Sequence, residues 1–237
     1  MWTDQKGLIA GRPMLPIAVT VIGALLTHPS GLAPRAYRRS TPRASHLDRS
    51  FVAEIAERVS PSVALVIPRG LRNSTHQGSG FAVEVGGALL LVTSAHVASG
   101  GMKVDVALAS DGFIERHSAT VVGRAPHGED LALLQLDEVV ASRLTPLVLG
   151  DSDALLPGDF LIAIGHPAGL RGAVTLGVLS GRGSLPSAHG VPAELDEDGP
   201  SSSCDGWEVP YLVTDASFAA GMSGGPLLNC DGEARAV

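Results

Sequence analysis

Cysteine is scarce: of 237 residues, only Cys204 and Cys230 carry a thiol. They form at most one disulfide, so no cystine framework holds this fold, and they are too few for an all-cysteine zinc site. Their pairing depends on an oxidising compartment and is left open by the sequence. Charge is also sparse, at 17% of residues, while Gly numbers 29 and Pro 16. That balance excludes a coiled coil and points to many short elements joined by tight turns. Basic charge is in deficit, 17 Lys and Arg against 24 Asp and Glu. A net charge of −7 argues against a nucleic-acid partner, which calls for a basic surface. The eight histidines show no H-E-x-x-H pair or other metal spacing, so no metal site is expected. What is plentiful is apolar surface, 45% of residues, enough for a sizeable core and too much for a disordered chain.

The sparse charge is unevenly placed. Residues 1–47 hold six basic groups and one acid, Asp4, leaving 11 basic and 23 acidic groups in residues 48–237. Within the basic stretch, Met14 to Leu26 is an apolar run as long as a signal-peptide core and short for a membrane span. Residues 1–47 are therefore read as a targeting leader or membrane anchor, and residues 48–237 as the folded domain. Export or organellar import is expected (periplasm, secretion, mitochondrion or plastid). The apolar run offers a means of membrane association.

The domain opens on a short helix: Asp48 is placed to cap it, and Phe51, Val52, Ile55, Ala56 and Val59 share one face. Ser60-Pro61 ends it, because the residue before proline resists helical geometry. Ten short apolar runs follow, from Val63–Ile67 to Pro226–Leu228, divided by turn clusters such as Gly86-Gly87 and Ser110-Asp111-Gly112. This pattern predicts an all-β barrel or sandwich. Residues 184–210, rich in Ser, Pro, Gly and acids, are expected to form one long surface loop. Its cluster of Glu194, Asp196, Glu197 and Asp198 reads as a solvated face.

Chemistry enters at Gly221-Met-Ser-Gly-Gly-Pro226. Glycines there let backbone amides approach a substrate oxygen, although a Gly-rich turn around a serine is weak evidence alone. The α/β-hydrolase elbow shares the pattern but needs its His after the serine; only 14 residues follow Ser223 and none is His. A nucleophilic serine needs a base and an orienting acid. Upstream, Leu91-Val-Thr-Ser-Ala-His96 delivers a His at the end of an apolar strand, and Glu129-Asp130 precedes the strand Leu131–Leu136. Singly, His96 reads equally well as a core histidine and Asp130 as a strand cap. Together they give the order His, Asp, Ser.

These stretches, with Ser60-Pro-Ser-Val63, Gly78-Ser-Gly-Phe81, Leu149-Gly-Asp-Ser-Asp153 and Ala163-Ile-Gly-His-Pro167, resemble the HtrA/Deg branch of the trypsin-like serine proteases. The resemblance implies two antiparallel six-stranded β-barrels with the site in the cleft between them. It implies His96 as general base, Asp130 as its orienter, Ser223 as nucleophile and the amides of Gly221 and Ser223 as oxyanion hole. It further implies endopeptidase action on unfolded or damaged proteins, no cofactor, and homo-oligomers, trimers being found in similar proteins.

Three departures accompany the resemblance. Met222 stands where the family has Asn, and loss of that polar side chain is expected to loosen the loop aiming the oxyanion amide. The acidic 184–210 loop is long, at a position of regulatory loops. The chain reaches Val237 as a strand begins, so the second barrel is expected to be incomplete, without the closing strand and PDZ domain of the family. The alternatives to an active protease are a non-catalytic binding or chaperone module and a fragment of a larger protease. For specificity, Ser217 and its neighbour Phe218 stand six and five residues before the nucleophile, where a Lys/Arg-specific enzyme needs an acid. Asp215 belongs to the Thr-Asp-Ala pattern, so small or medium apolar residues are expected before the cut. His166, in a Gly-His-Pro turn, reads as structural rather than as a ligand.

Overall fold

The computed structural model describes residues 49–69, 77–99, 101–125, 129–167, 170, 172–186 and 208–237. The leader with its apolar run, Asp48, Cys204 and the acidic cluster at 194–198 lie outside them. Helix α1 (Arg49–Val59) ends in a tight 3₁₀ turn over Ser60–Ser62 that carries Pro61. Its predicted apolar face is the one that packs. Ile55 and Val59 are buried, and Phe51, Val52 and Ala56 lie against the same cluster.

The first half is a closed barrel in the order β1-β2-β3-β6-β5-β4, every neighbour antiparallel. Its strands are β1 (Val63–Pro68), β2 (Gly78–Val85), β3 (Ala88–Ser94), β4 (Lys103–Leu108), β5 (His117–Arg124) and β6 (Leu131–Gln135). The β2–β3 connection is the two-residue Gly86-Gly87 turn, and both glycines have positive φ, as a tight hairpin with matched twist requires. Side chains on β2 and β3 alternate between two cores. Phe81, Val83, Leu90 and Val92 join a cluster that includes Ile162, Ile164 and Leu228 of the second half. Ala82 and Leu91 fill the barrel with Val66, Val106, Val121 and Leu134. Burial on both faces explains why these strands read as continuous apolar runs rather than alternating ones. Between the halves, the short helix α2 (Glu138–Ala141) is capped by Asp137, whose carboxylate accepts from Val139 N at 3.0 Å.

The second half is a five-stranded sheet in the order β11-β10-β7-β8-β9. Its strands are β7 (Phe160–Gly165), β8 (Ala173–Pro186), β9 (Glu208–Thr214), β10 (Leu227–Leu228) and β11 (Ala234–Ala236). One expectation is corrected here. The loop predicted over 184–210 is shorter at both ends: Ser184 pairs with Pro210 and Pro186 with Glu208, so β8 and β9 run on into the polar stretch. A two-stranded ribbon needs no apolar face to satisfy its backbone, which is why composition hid it. The second body is incomplete as expected: it has five strands and does not close among the described residues. Leu155, Leu161, Ala163, Leu179, Met222 and Leu227 form its core.

Candidate active site

Register brings His96 and Asp130 together. Ser94 at the end of β3 pairs with Leu131 at the start of β6. The next residues outward therefore face each other, and Ala95 N–H donates to the Asp130 carbonyl at 3.0 Å. His96 N–H donates to Asp130 Oδ1 at 2.8 Å, and His96 Nδ1 hydrogen-bonds Oδ2 of the same carboxylate. A carboxylate only accepts, so Nδ1 carries the proton and Nε2 presents its lone pair. The imidazole is half exposed, its side chain 49% accessible against 29% for Asp130. Arg124 on β5 fastens the far end of this turn by donating to Ala98 O at 2.8 Å.

Ser223 lies on the connection between β9 and β10 and is exposed, whereas Gly221, Met222 and Gly224 around it are buried. Gly221 has φ +100° and Gly224 φ +85°. Gly224 is boxed in as well: a Cβ there would collide with Ser79 O and Thr93 Oγ1 and lie 2.7 Å from Ser94 N. Only glycine fits both the dihedral and the space. The serine turn thus leans on the strand end that carries His96. Ser79 N–H donates to Ser223 O at 2.7 Å, and Gly78 sits between the Val97 side chain and Ser223 O. The turn closes on itself through Met222 N–H to Ala219 O at 3.0 Å and Gly225 N–H to Met222 O at 2.9 Å. Among the described residues, the amides of Gly221 and Ser223 donate to no oxygen of the protein. No hydrogen bond joins Ser223 to His96 among them either.

Met222 departs from the expectation attached to it. Its side chain is 5% exposed and packs with Leu155, Leu161, Ala163, Leu179 and Leu227. An apolar anchor holds the turn where a polar side chain was expected to be missed. Ser217 and Phe218 both stand exposed ahead of Gly221, Phe218 at 60%. Asp215 is committed elsewhere, accepting from Val178 N at 2.7 Å.

His166, read as structural from its turn, lies buried. It is 3% exposed, accepts from Gly172 N at Nδ1 (3.0 Å) and meets Phe113 edge-on, ring centroids 4.6 Å apart. Burial pushes its pKa down from 6.5 to about 4. Among the described residues Cys230 is a free, half-buried thiol; burial first, then Asp231 and Asp159, push its pKa up. One group with metal-ligand chemistry escaped the sequence reading. Asp111, Glu115 and His117 bring one ligand atom each within 4.8 Å of one another, with His117 Nε2 2.9 Å from Asp111 Oδ2. Linear spacing gave no sign of it because the residues converge through the turn between β4 and β5. It shares no residue with the His96–Asp130 pair or the serine turn.

Sequence reasoning also missed Ser79 and Thr93. Gly78-Ser-Gly-Phe81 stood out as a matching stretch, but nothing in it announced contacts to residues more than 140 positions away.

Comparison with known proteins agrees with this architecture. Residues 78–237 match the trypsin-like peptidase domain family. The chain is 35% identical over 201 residues to serine protease HTRA4 of the mouse, covering 81% of this chain and 37% of that one. It is 36% identical over 170 residues to a probable periplasmic serine endoprotease, DegP-like, of Chlamydia muridarum, covering 72% and 29%. Among solved structures it is similar to the HtrA-type protease AlgW with tripeptide, with TM-score 0.57 and 30% identity over 77% of this chain and 52% of that one. The chain spans roughly two-fifths or less of these curated relatives and about half of the solved chain. The sequence motifs, the two β bodies and these likenesses agree: the chain belongs to the HtrA/Deg branch of the trypsin-like serine proteases.

Proposed function

We propose that this chain is a serine endopeptidase acting through Ser223, His96 and Asp130. The observation that carries the reading is the doubly bonded His96–Asp130 pair, which leaves Nε2 as the basic nitrogen, set on the strand end that supports the exposed Ser223 turn. His96 takes the Ser223 proton as Oγ attacks a peptide carbonyl, and the unpaired amides of Gly221 and Ser223 receive the developing oxyanion. His96 then returns the proton to the leaving amine, and water hydrolyses the acyl-serine. The absent Ser223–His96 hydrogen bond gives the non-catalytic binding module its support. It is the weaker reading, since such bonds are commonly long without substrate and tighten in the complex.

The substrates proposed are unfolded polypeptides, cut after small or medium apolar residues, because Asp215 is held by Val178 N–H and Ser217 offers no charge. Assembly into homo-oligomers and export through residues 1–47 belong to the same proposal. Among the described residues no helix is long and apolar enough to cross a membrane. Digestion of casein, with cleavage sites mapped by mass spectrometry, tests the reading: wild type should cut after Val, Ala or Leu, and Ser223→Ala should not cut. Cuts dominated by Lys and Arg would overturn the specificity, and equal digestion by Ser223→Ala would overturn the mechanism.

A further inference from the structure

Ser79 is fully buried on β2, in the first barrel, yet most of its partners lie in the second half. Its hydroxyl donates to Gly221 O at 2.8 Å and accepts from His166 N at 2.9 Å. Its amide donates to Ser223 O at 2.7 Å. Its own carbonyl accepts from Thr93 Oγ1 at 2.6 Å, which fixes Ser79 to β3, one strand over. Both turn carbonyls it holds belong to Gly221 and Ser223, the residues whose amides are unpaired. Fixing a carbonyl fixes its peptide plane, and with it the ψ of the residue that carries it. At Gly221 this matters most, because a glycine at φ +100° has no side chain to limit its excursions.

We propose that Ser79 is the positioning residue of the oxyanion turn, its hydroxyl locking the Gly221 peptide from the opposite barrel so that the Gly221 and Ser223 amides converge. The inference rests on the proposed Ser223 chemistry for its catalytic consequence, but not for its structural one. The hydroxyl is satisfied in both its roles, a bond given and a bond taken, so neither partner can be lost without leaving a buried polar group unpaired. The His166 amide it accepts from follows β7, so one hydroxyl ties β2, the end of β7 and the serine turn together.

The test combines amide exchange with kinetics in Ser79→Ala and Ser79→Cys. Cysteine fills the serine volume but is a poor donor. Both variants should raise exchange at the Met222 and Gly225 amides, which close the turn, by about tenfold or more, while β2 and β3 amides hold. Both should lower kcat on a peptide substrate by about 10- to 100-fold with KM within about twofold, an indirect share of the 10²–10³ lost when an oxyanion donor is removed outright. Recovery of kcat in Ser79→Cys would assign the effect to packing and overturn the proposal. Unchanged exchange at Met222 and Gly225, exchange raised equally across the barrel, or raised local exchange with undiminished kcat would each overturn it. If wild type proved inert, the reading of Ser223 would fall, and the exchange data alone would decide whether Ser79 holds the turn.

Discussion

The two β bodies divide the candidate site unequally. The first barrel contributes the proposed base and acid, His96 and Asp130, already joined, because consecutive pairing of β3 with β6 leaves them facing each other with no loop to order. The second sheet contributes its serine on a connection between strands, with two glycines at positive φ and anchors borrowed from the other half. A site built on paired strands is held by the cooperativity of the barrel; one on a turn is held only by the few contacts that reach it. The comparison teaches where this protein is vulnerable. Damage to the base–acid pair should act on chemistry, and damage to the serine turn should act on both chemistry and local order.

The largest effects should come from the reacting groups. Ser223→Ala and His96→Ala should each lower turnover by roughly 10³-fold or more, since the three residues act as a unit. Asp130→Ala should be severe and Glu129→Ala mild. Equal losses at positions 129 and 130, measured as kcat/KM on one peptide, would mean that the orienting carboxylate has been assigned to the wrong neighbour.

Next come two glycines that share a dihedral class but not an environment. Gly224→Ala combines left-handed strain with collision against Ser79 O and should destabilise by about 3–4 kcal/mol. Gly87→Ala has φ +81° with nothing within 4 Å, and should cost only the strain, about 1–2 kcal/mol. Urea melts of the two variants give the difference directly, and equal costs would deny that the halves press together at Gly224.

Acid should loosen the same junction. His166 binds a proton near pH 6.5 when unfolded but only near pH 4 when folded. Its contribution is fully present above pH 6.5 and is lost as pH falls towards 4, roughly 3 kcal/mol in all. His166→Gln should therefore lose less melting temperature than wild type between pH 7 and pH 4.5. Parallel losses would place the acid sensitivity elsewhere.

Met222→Leu gives the smallest expected effect, and Met222→Asn the sharpest test of the apolar anchor. Met222→Leu should cost less than about 1.5 kcal/mol, and Met222→Asn about 2 kcal/mol, because the amide would be buried without a partner. A stabilising Met222→Asn, seen as a higher melting temperature, would restore the polar role expected at that position.

How much of this was legible in the sequence follows the same division. The runs Val63–Ile67 through Leu131–Leu136 mark the barrel, most plainly at β2 and β3, which are buried on both faces and apolar over most of their length, and His96 and Asp130 stand out at the ends of such runs. In the second half, Ser184–Pro186 and Glu208–Pro210 hid a strand pair inside polar composition, since backbone pairing leaves no periodic trace there. Met222 looked like a loss because sequence shows residue type but not which way a side chain points. Ser79 was invisible as a support: its partners in the second half lie 87, 142 and 144 positions away, and no local pattern encodes a contact of that range.

The proposed activity depends above all on the halves meeting so that His96 activates Ser223 as a nucleophile. Labelling with a fluorophosphonate, followed by peptide mapping, tests it most directly. Wild type should be modified stoichiometrically at Ser223, and His96→Ala should react roughly 10³-fold or more slowly. No modification of Ser223, or equal labelling rates in wild type and His96→Ala, would contradict it.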